Sequence, residues 1–166
     1  KDVLSSVAKK KCGIAKLRVT MTDLIIPQTA HSLRGSIRVP ADKSISHRAA
    51  MLASLADGEA RIENYLQSET TYATLDGLRA LGAVIEMRDE TTLIVRGHGL
   101  QGLREPQDVL FCKGSGTTMR LLAGLCAGQD FLSILDGTPA LKRRPMARVA
   151  EPLRAMGATI LARENG

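Results

Sequence analysis

Leu78-Arg79-Ala80-Leu81-Gly82-Ala83-Val84-Ile85-Glu86-Met87-Arg88 returns 75 residues later as Leu153-Arg154-Ala155-Met156-Gly157-Ala158-Thr159-Ile160-Leu161-Ala162-Arg163, with seven of the eleven positions identical. Each copy reads as the end of a helix, a glycine just past it, and then a strand. Glycine at that place adopts the left-handed C-cap without steric cost. A stretch that recurs in this way implies one supersecondary unit used more than once.

The rest of each unit follows outward from these copies. In the first, Ser32–Val39 alternates apolar and polar residues up to Pro40 and reads as a strand. Ser44–Ala56 places apolar residues at helical spacing behind a serine. Ala60–Leu66 reads as a strand and Thr70–Leu81 as a helix. Ala83–Arg88 and Thr92–Arg96 form a hairpin around Asp89-Glu90. The expected order is β-α-β-α-β-β over about residues 32–97.

In the second unit, about residues 107–166, Asp108–Cys112 is expected as a strand, Ser115–Ala127 as a helix and Phe131–Leu135 as a strand. Pro145–Met156 is expected as a helix with proline at or near its first turn, and Ala158–Arg163 as the next strand. By the 75-residue offset Gly166 matches Thr91, so the second unit is expected to lack its closing strand and the chain to be part of a longer one.

Composition narrows the function classes. No apolar run approaches the roughly 20 residues that span a bilayer. Aromatic residues make up 2% of the chain, with no Trp, which argues against the stacking platforms of single-stranded nucleic-acid binders. The net charge is +6, but residues 1–20 hold six cations against Asp2 alone and so carry +5 of it. The basic balance belongs to that stretch, which we expect to be an extension outside the fold, with Met21 a plausible start and residues 21–166 forming a partial domain. No partner in nucleic acid or membrane is expected. Cys12, Cys112 and Cys126 are odd in number and far apart, which suits a reducing cytoplasm better than a disulfide framework or a metal knuckle.

Three polar stretches lie where a strand gives way to a helix. The first is Ala41-Asp42-Lys43-Ser44-Ile45-Ser46-His47-Arg48. A helix start offers free N–H groups and the positive end of the dipole. Arg48 lies one turn after Ser44, so Lys43, Ser44 and Arg48 face one spot suited to a phosphate or carboxylate. The plainer alternative makes Ser44 a helix cap and the two cations solvated. The second is Lys113-Gly114-Ser115-Gly116-Thr117-Thr118-Met119-Arg120, whose glycines let backbone approach a ligand. It lacks the order of a Walker A loop, and a simple capped turn is its alternative. The third, Lys142-Arg143-Arg144-Pro145, sets three cations before a helix, where an anion would relieve their repulsion; solvated basic residues are its alternative. His47 reads as a structural or supporting group. Cys112 shows no sign of nucleophile activation.

Taken together, these residues resemble the 5-enolpyruvylshikimate-3-phosphate synthase family. The family pattern P-G-[DS]-K-S-[IV]-S-[NH]-R is matched over residues 40–48 except at Ala41. Ser115, Gly116, Thr117, Thr118 and Arg120 match its second loop, and Arg144-Pro145-Met146 with Met156-Gly157-Ala158 match its third element. The chain departs from the pattern at Ala41, at Lys113-Gly114 in place of Gly-Asn, at Glu69-Thr70 and at Gly137–Leu141.

The resemblance implies an α/β enolpyruvyl transferase fold, an inside-out α/β barrel of repeated β-α-β-α-β-β units, of which this chain holds nearly two. It implies transfer of the enolpyruvyl group of phosphoenolpyruvate to the 5-hydroxyl of shikimate 3-phosphate, with loss of phosphate and with neither cofactor nor metal. This reaction belongs to aromatic amino-acid biosynthesis and is the target of glyphosate. Carried over residue by residue, Lys43 would be catalytic and touch both substrates. Ser44 and Arg48 would hold shikimate 3-phosphate, Gly116 and Arg144 phosphoenolpyruvate, with Arg120, Ser115 and Thr117 in support. The remaining groups would come from the C-terminal part of the same protein, so the 166 residues alone are expected to be inactive. The alternative is a phosphate-ligand-binding domain without chemistry.

Overall fold

The computed structural model describes residues 34–163. The expected basic extension at 1–20, Cys12 and the start of the Ser32–Val39 strand lie outside the described residues. Backbone contacts divide the chain between Arg38 and Val39. Before that division the described residues, 34–38, carry no regular element, and Val39 carries none either, so the expected strand is absent from the described part of its range. Among the described residues, all helices and strands lie after it.

Their order is α1 (Lys43–Leu55), β1 (Asp57–Ile62), α2 (Glu69–Ala80), β2 (Val84–Met87), β3 (Leu93–His98), β4 (Leu110–Phe111), α3 (Gly116–Cys126), β5 (Leu135–Asp136), α4 (Pro139–Lys142) and α5 (Ala147–Ala155). This is an α/β fold, with the expected elements mostly within a few residues of their places. The differences lie in the added α4, in a strand β1 that begins earlier, and in Ala158–Arg163, which forms no strand.

The repeat is realised bond by bond. Gly82 and Gly157 both take left-handed backbone, at φ +93° and +101°. In the first copy Gly82 N–H donates to Arg79 O and Ala83 N–H to Leu78 O. In the second, Gly157 N–H donates to Arg154 O and Ala158 N–H to Leu153 O. Both are Schellman closures, which satisfy carbonyls a helix end would otherwise leave free. The guanidiniums also correspond: Arg79 donates to Ile85 O at 3.2 Å and Arg154 to Ile160 O at 2.9 Å. What differs is the partner of the following strand. Val84–Met87 pairs with β3, whereas Ala158–Arg163 has no paired strand among the described residues.

The three-stranded sheet has the order β1-β3-β2, both pairings antiparallel. The β2–β3 hairpin brings Met87 opposite Leu93. Its turn is held by Asp89, whose carboxylate accepts from the N–H groups of Thr91 at 2.8 Å and Thr92 at 2.9 Å. Along β3, Leu93 and Val95 are fully buried while Arg96 faces outward and pairs with Glu59 and Glu86. Gly97 lies against α1 so closely that a Cβ would collide with the carbonyls of Ala53 and Ala56. The absence of a side chain there lets α1 lie flat on the central strand.

β4 and β5 form a short parallel pair, Leu110 opposite Leu135 and Phe111 opposite Asp136. Both units feed one core, in which Leu75, Leu78, Leu81, Leu93, Leu110, Leu122 and Leu141 are each 0–2% exposed. Each such side chain contributes about 1.5–3 kcal/mol of transfer free energy. α2 and α3 meet at Gly77, where Leu122 Cδ1 would come 2.7 Å from an added Cβ. This close approach lets α2 and α3 pack directly against each other.

Candidate functional site

Each of the three long helices begins at a side-chain cap. Asp42, not Ser44, caps α1, its carboxylate accepting from Ile45 N–H at 2.8 Å. Ser68 and Thr71 form a reciprocal capping box on α2. Ser115 caps α3 and accepts from Thr118 N–H at 3.1 Å. Such caps contribute about 0.5–2 kcal/mol each and leave first-turn N–H groups free for a ligand.

On α1 the cap frees Ser44. Lys43, Ser44 and Arg48 are all exposed on the first turns, and Arg48 donates to Ser44 O at 3.2 Å. This bond folds the guanidinium back over the helix start. Ser46, two residues after Ser44 and on the inner side of the same turn, is buried. It donates to Asp42 O at 2.7 Å and accepts from Leu66 N–H at 2.9 Å, fixing the α1 start to the segment before α2.

On α3 the convergence is tighter. A Cβ at Gly116 would lie 3.1 Å from Arg120 Nη1 and 3.2 Å from Arg144 Nη1. Two guanidiniums thus flank a glycine in the first turn of a helix, with no side chain between them. Arg120 also donates to Pro145 O at 3.4 Å, while its Nε is buried without a partner among the described residues. Burial, then the nearby Arg148 and Arg144, hold its guanidinium below the usual arginine range. Like charges crowded at the positive end of a helix favour an anion between them.

The cations of the third stretch do not act together. Lys142 closes α4 and pairs with Asp136 at 2.7 Å, and Arg143 is the α4 C-cap. Both therefore sit at the end of a helix, where cations are favourable, rather than at the start of one. Only Arg144 reaches Gly116. Lys113, at φ +50°, turns to Asp76 on α2 at 3.2 Å. Ser115 is buried with its oxygen committed to the cap, and Thr117 is half-buried.

The structure thus gathers the expected residues into two sets: Lys43, Ser44 and Arg48 on α1, and Gly116, Arg120 and Arg144 around α3. A buried line of side chains joins the two helices. His47, fully buried, meets Thr74 Oγ1 through Nδ1 at 2.6 Å. Thr74 Oγ1 meets Thr118 Oγ1 at 2.8 Å, and Thr118 Oγ1 lies 2.7 Å from Ser115 Oγ and 3.1 Å from Thr70 O. His47 Nε2 has no partner among the described residues. A buried ring nitrogen left without a partner costs about 1–3 kcal/mol. Burial, then Lys43 and Arg48, lower the imidazole pKa, which keeps it neutral. Sequence reasoning did not single out Thr74, nor Arg148 beside Arg120. A threonine inside a helix and an arginine on one carry no local signal of where they point.

Cys112 and Cys126 are free and buried, and burial foremost pushes the Cys112 thiol up to about 12. It is not a nucleophile at neutral pH. Among the described residues no three His, Cys, Asp or Glu side chains cluster as metal ligands, and no helix is long and apolar enough to cross a membrane.

Comparison with known proteins places these features in company. A profile described as "EPSP synthase (3-phosphoshikimate 1-carboxyvinyltransferase)" matches residues 27–166. A protein of Pelotomaculum thermopropionicum named 3-phosphoshikimate 1-carboxyvinyltransferase is 54% identical over 137 residues, 82% of this chain and 32% of the relative. One of the same name from Geobacter metallireducens is 55% identical over the same shares. The solved structure of EPSP synthase from Acinetobacter baumannii superposes with a TM-score of 0.73 at 38% identity, covering 79% of this chain and 30% of that one. The chain therefore spans about a third of the length of the curated relatives it matches.

Proposed function

The chain belongs to the EPSP synthase (3-phosphoshikimate 1-carboxyvinyltransferase) family, and we propose that its two cationic helix starts hold the two anions joined in that family's reaction. The observation that carries this reading is the pair of guanidiniums, Arg120 and Arg144, facing each other across Gly116. In this reading phosphoenolpyruvate binds there, its phosphate or carboxylate between the guanidiniums and the first N–H groups of α3. Shikimate 3-phosphate binds at Ser44 and Arg48, and Lys43 stands beside both. Lys43 would be the catalytic cation. As the ring 5-hydroxyl adds to C2 of phosphoenolpyruvate, losing its proton while C3 gains one, and the C2–O bond to phosphate then breaks as C3 gives a proton up, Lys43 would offset the charge on the departing phosphate.

The reading takes residues 21–166 as a partial enolpyruvyl transferase domain and assigns the remaining groups to other parts of the protein. It needs no cofactor. The free, buried Cys112 and Cys126 support a reducing compartment, the cytoplasm.

Calorimetry of this chain with shikimate 3-phosphate and then phosphoenolpyruvate, paired with a phosphate-release assay, tests it. The expected result is binding of shikimate 3-phosphate that is lost in Lys43→Ala and Arg48→Ala, without phosphate release. Absence of binding by the folded chain would refute the α1 site. Binding retained in both variants would indicate a phosphate-ligand domain of another design.

A further inference from the structure

The buried line from His47 to Ser115 has a direction, fixed by counting protons. Thr118 Oγ1 has one proton and three oxygen neighbours: Thr70 O, Ser115 Oγ and Thr74 Oγ1. Thr70 O accepts only, so it takes that proton unless Ser115 Oγ does. In either case Thr118 has none left for Thr74. Thr74 must then donate to Thr118, and its own oxygen is free to accept from His47 Nδ1 at 2.6 Å. The reverse sense, Thr118 to Thr74 to a bare Nδ1, would leave Thr118 Oγ1 with no proton for either Thr70 O at 3.1 Å or Ser115 Oγ at 2.7 Å, two contacts unserved where the forward sense leaves one. His47 is therefore the donor at the head of the line, with its proton on Nδ1 and Nε2 bare.

We propose that His47 is a positioning residue for the anion site at the start of α3. Through Thr74 and Thr118 it orients the hydroxyls that cap α3, and so holds Gly116 and Arg120 in register with the Lys43–Arg48 turn of α1. The line crosses all three helices: His47 belongs to α1, Thr74 to α2 and Thr118 to α3. Thr74 and Thr118 are fully buried, so water does not compete for their hydroxyls. The charges beside His47 are Lys43 and Arg48 of its own helix, and what meets it from α2 is the uncharged hydroxyl of Thr74. Both features keep the ring neutral and the direction of the line fixed.

The proposal rests on the reading of Gly116, Arg120 and Arg144 as an anion site. Its first readout stands apart from that reading. In this chain with ¹⁵N-labelled histidine at neutral pH, the His47 ring is expected to show a protonated Nδ1 and an unprotonated Nε2. A proton on Nε2, alone or in an imidazolium, would overturn the proposal. The second readout is titration with inorganic phosphate, with urea unfolding run alongside. His47→Asn keeps a donor near Nδ1 and is expected to bind within about threefold of the parent, while His47→Leu keeps the volume but not the donor and is expected to bind roughly tenfold more weakly. Leucine binding phosphate like the parent, or asparagine as weak as leucine with both folded, would overturn the proposal. Should His47→Leu fail to unfold cooperatively, Thr74→Ser and Thr74→Val pose the same choice one step along the line. A parent chain that binds no phosphate sinks the anion-site reading and the positioning role with it, an outcome distinct from intact binding that ignores His47.

Discussion

Replacing Gly116 with alanine separates two effects that mutations usually confound. The added Cβ meets Arg120 Nη1 at 3.1 Å, Arg144 Nη1 at 3.2 Å and Arg120 Cζ at 3.7 Å, with no backbone atom among its nearest neighbours. Gly116 is not among the residues with positive φ, and it opens a helix. The backbone therefore accepts alanine, and the lower entropy of the unfolded chain adds stability, at most about 1 kcal/mol. The two guanidiniums must each retreat by a few tenths of an ångström. Hydrogen bonds to charged groups are worth about 1.5–3 kcal/mol, so partial loss of two costs about 1–2 kcal/mol of anion affinity. That corresponds to roughly 5- to 30-fold in Kd. Calorimetry with phosphoenolpyruvate reads the affinity and urea denaturation the stability. The expected result is weaker binding by a protein that is equally or more stable. Unchanged affinity would refute the placement of an anion between Arg120 and Arg144. Weaker binding with a clear loss of stability would mean that the glycine serves packing instead.

The remaining predictions concern the fold and its buried polar line. Thr118→Val removes a buried hydroxyl with three neighbours and is expected to cost about 1–3 kcal/mol in urea unfolding; a neutral effect would contradict the bonding described. Leu81 and Met156 hold the same place in the repeat but are 0% and 82% exposed. Leu81→Ala should therefore cost about 2–5 kcal/mol and Met156→Ala less than about 0.5 kcal/mol, and similar costs would refute their different burial. His47 titrates below its free value of 6.5, chiefly through burial and then through Lys43 and Arg48. The unfolded chain takes up that proton first, so this contribution is complete above 6.5 and is lost as pH falls through that value toward the lower folded one, by at most about 1.4 kcal/mol per pH unit. Urea midpoints across that range should fall in the parent and stay flatter in His47→Asn, and equal slopes would refute the assignment.

Helix periodicity and the glycine pair made much of this fold legible. Four helices, both Schellman closures and the Asp89 hairpin follow from local chemistry, since caps, C′ glycines and Asx turns depend on neighbours in sequence. Strands were harder. Ala158–Arg163 carries much the same pattern as Ala83–Arg88, yet a strand is defined by its partner, and pattern alone does not supply one. The short α4 was missed although Thr138-Pro139 is a helix-start signal, because four residues are too few to show a period. At the site, Lys43, Ser44 and Arg48 were readable together because one helical turn separates them. Arg120 and Arg144 were readable only as separate candidates, because their meeting over Gly116 depends on how α3 packs. The Lys142-Arg143-Arg144 run misled for the same reason: adjacency in sequence put three charges together, and the end of α4 sent them to different places.

The order β1-β3-β2 sets the schedule on which this sheet is made. The strand in the middle is the last to leave the ribosome, and neither outer strand pairs with the other. From Ile62 to His98 the nascent chain must hold β1 without a neighbour, for about 2–7 s at roughly 5–20 residues per second. Throughout that interval the backbone groups of Asp57–Ile62 are open to whatever strand comes near. That edge is flanked by charge, with Glu59, Arg61 and Glu63 alternating or nearly so along it, a composition that discourages pairing with strangers while β3 is still being synthesised.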